Sequence, residues 1–179
     1  MLRLFSAIKI PQQTTELLIS LQNGLPKAQW INPRNFHITL SFFGNVEDSM
    51  VDELTHALST IKCPSFSLHL NGFDVFRSEN KPHSLVVRIA PCAELNFLHE
   101  KIRSIQNQLG LTLDPKQFTP HITLARLLDI KSEDLSSYLS FQGDFSFPSF
   151  KIDQFVLFLS EKPSSDAPYI VKGIWSLQI

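Results

Sequence analysis

The tetrapeptide His-Ile-Thr-Leu occurs twice, at residues 37–40 and again at residues 121–124, 84 residues apart in a chain of 179. The separation is about half the chain. Each copy sits in an apolar stretch bounded by turn-forming residues, which reads as a β-strand. Side chains alternate across a strand, so His37 and Thr39 project to one face while Ile38 and Leu40 project to the other; His121 and Thr123 oppose Ile122 and Leu124 in the same way. A fold that buries the two Ile/Leu faces therefore leaves two His/Thr faces available to one another. Chance explains a single His-x-Thr in a strand, since Thr favours strands. It explains two copies with identical flanking Ile and Leu much less well when the chain has only six His.

The segments around the motifs fall into two broadly similar halves. In the first, an apolar stretch at 3–10 stops at Pro11 and leads into a helix through Glu16, Leu17, Leu18 and Leu21 that ends near Gly24. The first motif strand, 35–43, is bounded by Pro33 and Gly44, and a helix follows over 48–61, where Val51, Leu54, Leu58 and Ile61 repeat at helical spacing. Two half-buried strands, 65–73 and 84–89, are expected on either side of a turn-rich loop containing Asn80, Pro82 and His83. In the second half, Leu95, Leu98, Ile102, Ile105 and Leu109 mark an amphipathic helix over 93–109 that stops at Gly110. The second motif strand, 118–125, a short helix near 133–139 and strands at 145–160 and 169–177 complete it, with 161–168 as a surface loop. Strands separated by single helices, without strict βαβ rhythm, predict an α+β fold with antiparallel sheets and helices packed outside.

Two imidazoles and two hydroxyls around one anion form a phosphate-transfer site. Breaking a phosphodiester needs one group to take a proton from the attacking oxygen and another to protonate the leaving oxygen, and histidine can do either near neutral pH. Hydroxyls can hold the non-bridging oxygens as charge grows. Arg126, just past the second motif, would add positive charge. His56 and His99 lie on predicted helices, His69 on a strand without a Thr partner and His83 in a loop, and none is assigned a role. No His-Glu-x-x-His, Gly-rich phosphate loop or Gly-x-Ser-x-Gly elbow is present. No metal and no cofactor are therefore expected. The two cysteines, Cys63 and Cys92, lack the spacing for zinc or redox work and are expected as reduced thiols. A net charge of -1 and pI near 6.6 argue against a broad duplex-binding footprint. Without a signal-peptide pattern or bilayer-length apolar run, the expected location is the cytoplasm.

The opening Arg3-Leu4-Phe5-Ser6-Ala7-Ile8, the run from Trp30 through Pro33, His37, Thr39 and Phe42 to Gly44, and Phe118-Thr119-Pro120-His121-Ile122-Thr123-Leu124-Ala125-Arg126 together resemble the 2H phosphoesterase superfamily. The likeness is to its LigT-like RNA 2',3'-cyclic phosphodiesterase branch, also called 2'-5' RNA ligase, and it extends over nearly the whole chain; residues 155–160 and Tyr169 resemble the family ending more weakly. The resemblance implies one domain, 1–179, of two pseudo-symmetric lobes with an antiparallel sheet in each, helices outside and the motifs facing across a central cleft. It also implies hydrolysis of a terminal 2',3'-cyclic phosphate to a 2'-phosphate, with His121 as proton acceptor and His37 as proton donor. Thr39 and Thr123 would bind phosphate oxygens, Arg126 would contact the phosphate, and Phe42 would meet the terminal base.

Phe43 and Arg34 depart from the residues common in the family, and neither touches a motif. Strict alternation from His37 turns Phe42 toward the core, and a twist or bulge at the strand end would be needed to reorient it. The implied partners are RNA or oligonucleotide ends bearing a cyclic phosphate, with the protein acting as a monomer, off the membrane and without an obligate protein partner. The alternatives are a reversible 2'-5' RNA ligase, a non-catalytic nucleotide-binding module, and a relative acting on another cyclic phosphate or as a 3'-end exonuclease.

Overall fold

The computed structural model describes residues 1–143, 145–161 and 167–178. Ten strands and four helices follow one another as β1 (Leu2–Lys9), α1 (Gln12–Ile19), β2 (Ala28–Trp30), β3 (His37–Val46), α2 (Asp48–Ser59), β4 (Phe66–Leu68), β5 (Leu70–Ser78), β6 (Lys81–Ile89), α3 (Ala93–Gln108), β7 (His121–Leu127), α4 (Ser132–Gln142), β8 (Phe150–Ile152), β9 (Gln154–Leu159) and β10 (Ile170–Ser176). A short 3-10 turn, Pro33–Asn35, leads into β3. The expected α+β architecture is present.

The main sheet runs β10-β9-β1-β3-β7-β6-β5, with β2 also paired to β7, and β4 and β8 form a separate two-stranded piece. Every pairing is antiparallel. The junction between β3 and β7 is a single ladder pair, Ile38 with Ile122. On one side of that pair lie β1, β9 and β10; on the other lie β2, β6 and β5. The narrow junction divides the sheet into two wings, each containing one motif strand.

Burial explains the junction. Ile38, Leu40, Ile122 and Leu124 are all at most 2% exposed and belong to one continuous core with Leu4, Ile8, Leu54, Leu98 and Phe155. Full burial of such a side chain contributes about 1.5–3 kcal/mol, so the two apolar motif faces hold the wings together. Helix α3 packs on β3 through a stripe of buried Leu95, Leu98, His99, Ile102 and Gln106.

Several segments differ from the sequence expectation. Asn80, Pro82 and His83 do not form a long loop: a two-residue turn at Glu79 and Asn80, with φ of 49° and 64°, closes a hairpin, and Pro82 and His83 belong to β6. Two consecutive positive-φ residues give the turn a twist that matches the flanking strands. Strand β3 continues past Gly44, whose φ of 71° suits glycine, to Val46. The expected strand at 145–160 divides into β8 and β9, and the one at 65–73 belongs to β4 and β5. The three-residue β2 carries no strand signal in the pattern. The loop expected at 161–168 falls mostly on 162–166, outside the described residues. Cys63 and Cys92 are both free thiols. Among the described residues no helix is long and apolar enough to cross a membrane.

Candidate active site

In the antiparallel register through Ile38 and Ile122, His37 precedes the pair on one strand where Thr123 follows it on the other, and Thr39 stands likewise toward His121. All four polar side chains are half-buried, while the Ile and Leu between them are enclosed. The two motif faces thus lie on the same side of the sheet at its narrowest point.

Each imidazole is held in the same way. Nδ1 of His37 lies 2.7 Å from the carbonyl of Asn35, and Nδ1 of His121 lies 2.7 Å from the carbonyl of Thr119, two residues upstream in both cases. A carbonyl only accepts, so each Nδ1 carries a proton and donates it, leaving Nε2 as the working nitrogen. Thr39 Oγ1 is 3.1 Å from Nε2 of His37. Burial lowers the pKa of His37, opposed by the Asn35 carbonyl, and charge on His121 lowers it further. Burial also lowers the pKa of His121, against the raising effects of the Thr119 carbonyl and Asp74.

The strands then do something the period-2 pattern does not contain. Opposite β3, Leu4 pairs with Gly44 and Phe5 with Phe42, which leaves Phe43 without an opposite residue, and Ser6 pairs with Ser41 and Ala7 with Thr39, so Leu40 is an extra, bulged residue within the motif. Opposite β7, Leu85 pairs with Ala125 and Val86 with Thr123, so Leu124 is its counterpart. A bulge shifts the alternation by one residue. Phe42 consequently turns away from the core and is 48% exposed, while Phe43 is buried; Arg126 is exposed between buried Ala125 and Leu127. Phe42 and Arg126 occupy equivalent places, five residues after the start of each motif.

Two adjoining grooves meet here, where the sequence leads one to expect a single cleft. A groove of about 460 Å³ is lined by Thr39, Phe42, Phe76, Arg103, Lys116, His121 and Thr123, among others. The second, of about 550 Å³, contains Arg3, Phe5, Gln29, His37, Phe42, Arg126 and Tyr169. Phe42 is common to both. Each groove has two cationic side chains and one carboxylate, Arg103, Lys116 and Asp114 in the first and Arg3, Arg126 and Glu161 in the second. This is a local basic lining on a chain of nearly neutral charge.

Hydrophobic patterning gives no hint of the aromatic surroundings. His37 packs against Phe5 (5.2 Å between centroids), Phe158 (6.3 Å) and Tyr169 (5.3 Å), whereas His121 meets Phe76 (4.6 Å). Phe5, Phe158 and Tyr169 belong to the segments that resemble the family; Phe76 has no distinguishing signal in a chain with fifteen Phe. His83, expected in a loop, lines the first groove from β6. His99, assigned no role from sequence, lies on the buried face of α3 with Nδ1 2.7 Å from the Leu40 carbonyl.

Known proteins match this arrangement in sequence and in shape. A family model described as LigT like Phosphoesterase matches twice in succession, at residues 8–86 and 87–169, with one motif in each match. A Thermotoga maritima protein named RNA 2',3'-cyclic phosphodiesterase is 29% identical over 132 residues, covering 70% of each chain. A Geobacillus stearothermophilus protein of the same name is 33% identical over 106 residues, which span 58% of this chain and 34% of that protein. Among solved structures, E. coli LigT complexed with 3'-AMP superposes with a TM-score of 0.80 at 24% identity over 98% of both chains, a likeness of fold. With nearly the whole sequence covered by two tandem matches, the chain belongs to the LigT like phosphoesterase family.

Proposed function

We propose that this protein hydrolyses a terminal RNA 2',3'-cyclic phosphate to a 2'-phosphate, by acid/base catalysis from two histidines without a metal ion, in one domain of two lobes. The observation that carries the reading is the antiparallel junction at Ile38 and Ile122, which turns both His-x-Thr faces to the same side of one sheet. The names of the curated relatives supply the substrate class.

In this reading Nε2 of neutral His121 takes a proton from water as the water oxygen attacks phosphorus. The bond from phosphorus to the 3' oxygen breaks, and Nε2–H of protonated His37 delivers its proton to that oxygen. The products are a 3'-hydroxyl and a 2'-phosphate. The Asn35 and Thr119 carbonyls keep Nδ1 protonated on both rings, so each ring presents Nε2. Thr39, Thr123 and Arg126 hold the non-bridging oxygens, where donors aimed at growing charge have their largest effect. Phe42 offers an exposed ring to the terminal base. Metal independence is part of the proposal because two imidazoles cover both proton transfers.

Reversible 2'-5' ligation is the second reading, and the adjoining grooves favour it: a phosphate joining two nucleosides needs room on both sides of phosphorus. The test is incubation of chelator-treated protein with an oligoribonucleotide ending in a 2',3'-cyclic phosphate. A 2'-phosphate product supports hydrolysis. Joined products with a 5'-hydroxyl acceptor support ligation, progressive shortening points to an exonuclease, and binding without turnover to a nucleotide-binding module.

A further inference from the structure

A bulge interrupts the ladder, so the backbone groups of a buried bulged residue need partners from elsewhere. Both bulged carbonyls in this site are bound by side chains from the opposite half of the sequence. Nδ1 of His99, on α3, donates to the Leu40 carbonyl at 2.7 Å. Nε2 of Gln22, just after α1, donates to the Leu124 carbonyl at 3.1 Å and to the Ile31 carbonyl at 2.8 Å. The backbone N–H of Ile31 also donates to Leu124.

Helix α3 adds a second support two turns further on, where Gln106 is fully buried. Its Nε2 donates to the Phe42 carbonyl at 2.8 Å and its Oε1 accepts from Ser41 Oγ at 2.6 Å. His99 also stacks flat on Phe118, with 3.9 Å between centroids and 2° between planes. Phe118 lies three residues before His121, so one side chain touches the approaches to both motifs. A buried polar group on an otherwise apolar stripe is costly unless bonded; His99 and Gln106 direct donors at the segment around Leu40, Gln106 donating also to the Thr112 carbonyl at 2.5 Å, and the half-buried Gln22 directs one at Leu124.

We propose that His99, Gln106 and Gln22 are positioning residues that fix the phase of the bulges at Leu40 and Leu124. His99 and Gln106 set where Thr39 and Phe42 point, and Gln22 sets Thr123 and Arg126. Each lobe's reactive strand is thereby held by the other half of the chain. The kinetic consequence rests on the phosphoesterase reading; the structural one does not.

His99 also lines the first groove, and two substitutions separate its Nδ1 hydrogen bond from its ring. His99→Phe keeps a ring to stack on Phe118 and removes the Nδ1 donor; His99→Asn keeps a donor at the Nδ1 position and removes the ring. With the cyclic-phosphate oligonucleotide, His99→Phe is expected to lower kcat about 10- to 100-fold with little change in KM, the scale of a misplaced reacting group. His99→Asn restores kcat to within about threefold of the unsubstituted protein. In NMR spectra of the full chain, Thr39 and Phe42 resonances move in His99→Phe and stay in place in His99→Asn. Gln22→Met is expected to move Thr123 and Arg126 resonances with a smaller loss of kcat, since Ile31 N–H still binds Leu124; it also carries the test if His99→Phe does not fold.

The opposite ranking, with His99→Phe active and His99→Asn impaired, would overturn the proposal and assign His99 to ring stacking. Unmoved motif resonances in both His99→Phe and Gln22→Met would also overturn it. If the unsubstituted protein shows no turnover, the phosphoesterase reading fails while the resonances still decide the positioning role.

Discussion

Strands β3 and β7 begin with the same four residues, carry a bulge at the same place and hold their histidines by the same carbonyl two residues upstream. Their surroundings differ. His37 is enclosed by Phe5, Phe158 and Tyr169, while His121 stands against Phe76 and feels the carboxylate of Asp74. After the bulge, the first strand presents an aromatic ring at Phe42 and the second a guanidinium at Arg126. In the proposed reaction the shared features give two similar proton-transfer groups, while the divergent ones make the two rings unequal: burial and His121 favour the neutral form of His37, and Asp74 favours the protonated form of His121.

The largest expected effects fall on what the strands share. His37→Ala and His121→Ala should each reduce kcat by about 10²- to 10⁴-fold on the cyclic-phosphate oligonucleotide while circular dichroism shows an intact fold. Near-normal turnover in either variant would break the equivalence of the two strands. Smaller effects should separate them. Arg126→Ala, removing a charged hydrogen-bond donor, is expected to lower kcat/KM about 10- to 100-fold, increasingly so at low salt. Phe42→Ala should raise KM about tenfold, the scale of one lost stacking contact, with the effect insensitive to salt. Equal salt dependence in both variants would contradict the division between phosphate grip and base contact.

How far sequence reaches is clear from the same two strands. Alternation through residues 37–40 and 121–124 correctly assigns the buried Ile and Leu, because a period of two is a local property. It fails for Phe42, since the bulge at Leu40 arises from the register against Ser6 and Ala7 and from support by α3, all distant in sequence. Helix α3 is legible to within a residue at its end, yet the meaning of His99 and Gln106 on its buried face needs β3 in place above them. Proline and asparagine near 80–83 read as a loop, but pairing with β5 draws Pro82 and His83 into a strand.

The lowered histidine pKa values give two further outcomes. The kcat/KM profile should be bell-shaped, rising as the acceptor loses its proton and falling as the donor loses its own, with a maximum on the acid side of about 6.5, the ordinary histidine value. A maximum above about pH 7.5 would contradict the enclosed environment of His37. Stability follows with a defined sign. Between the lowered folded pKa values and about 6.5 the unfolded chain binds more protons than the folded one, so stability falls as pH drops through that window and levels off below it. Urea midpoints across the window should decline less in His37→Asn, which keeps a donor toward the Asn35 carbonyl without an imidazole to titrate. An unchanged slope would remove His37 from this effect.

The most direct measurement is a double-mutant cycle on kcat for His37→Ala, His121→Ala and the pair combined, with the cyclic-phosphate oligonucleotide as substrate. Groups that act on one phosphorus in one concerted displacement lose their value together, so the double variant should be scarcely slower than the worse single variant. Losses that multiply, each histidine contributing its full factor independently of the other, would contradict a single site shared between the two strands.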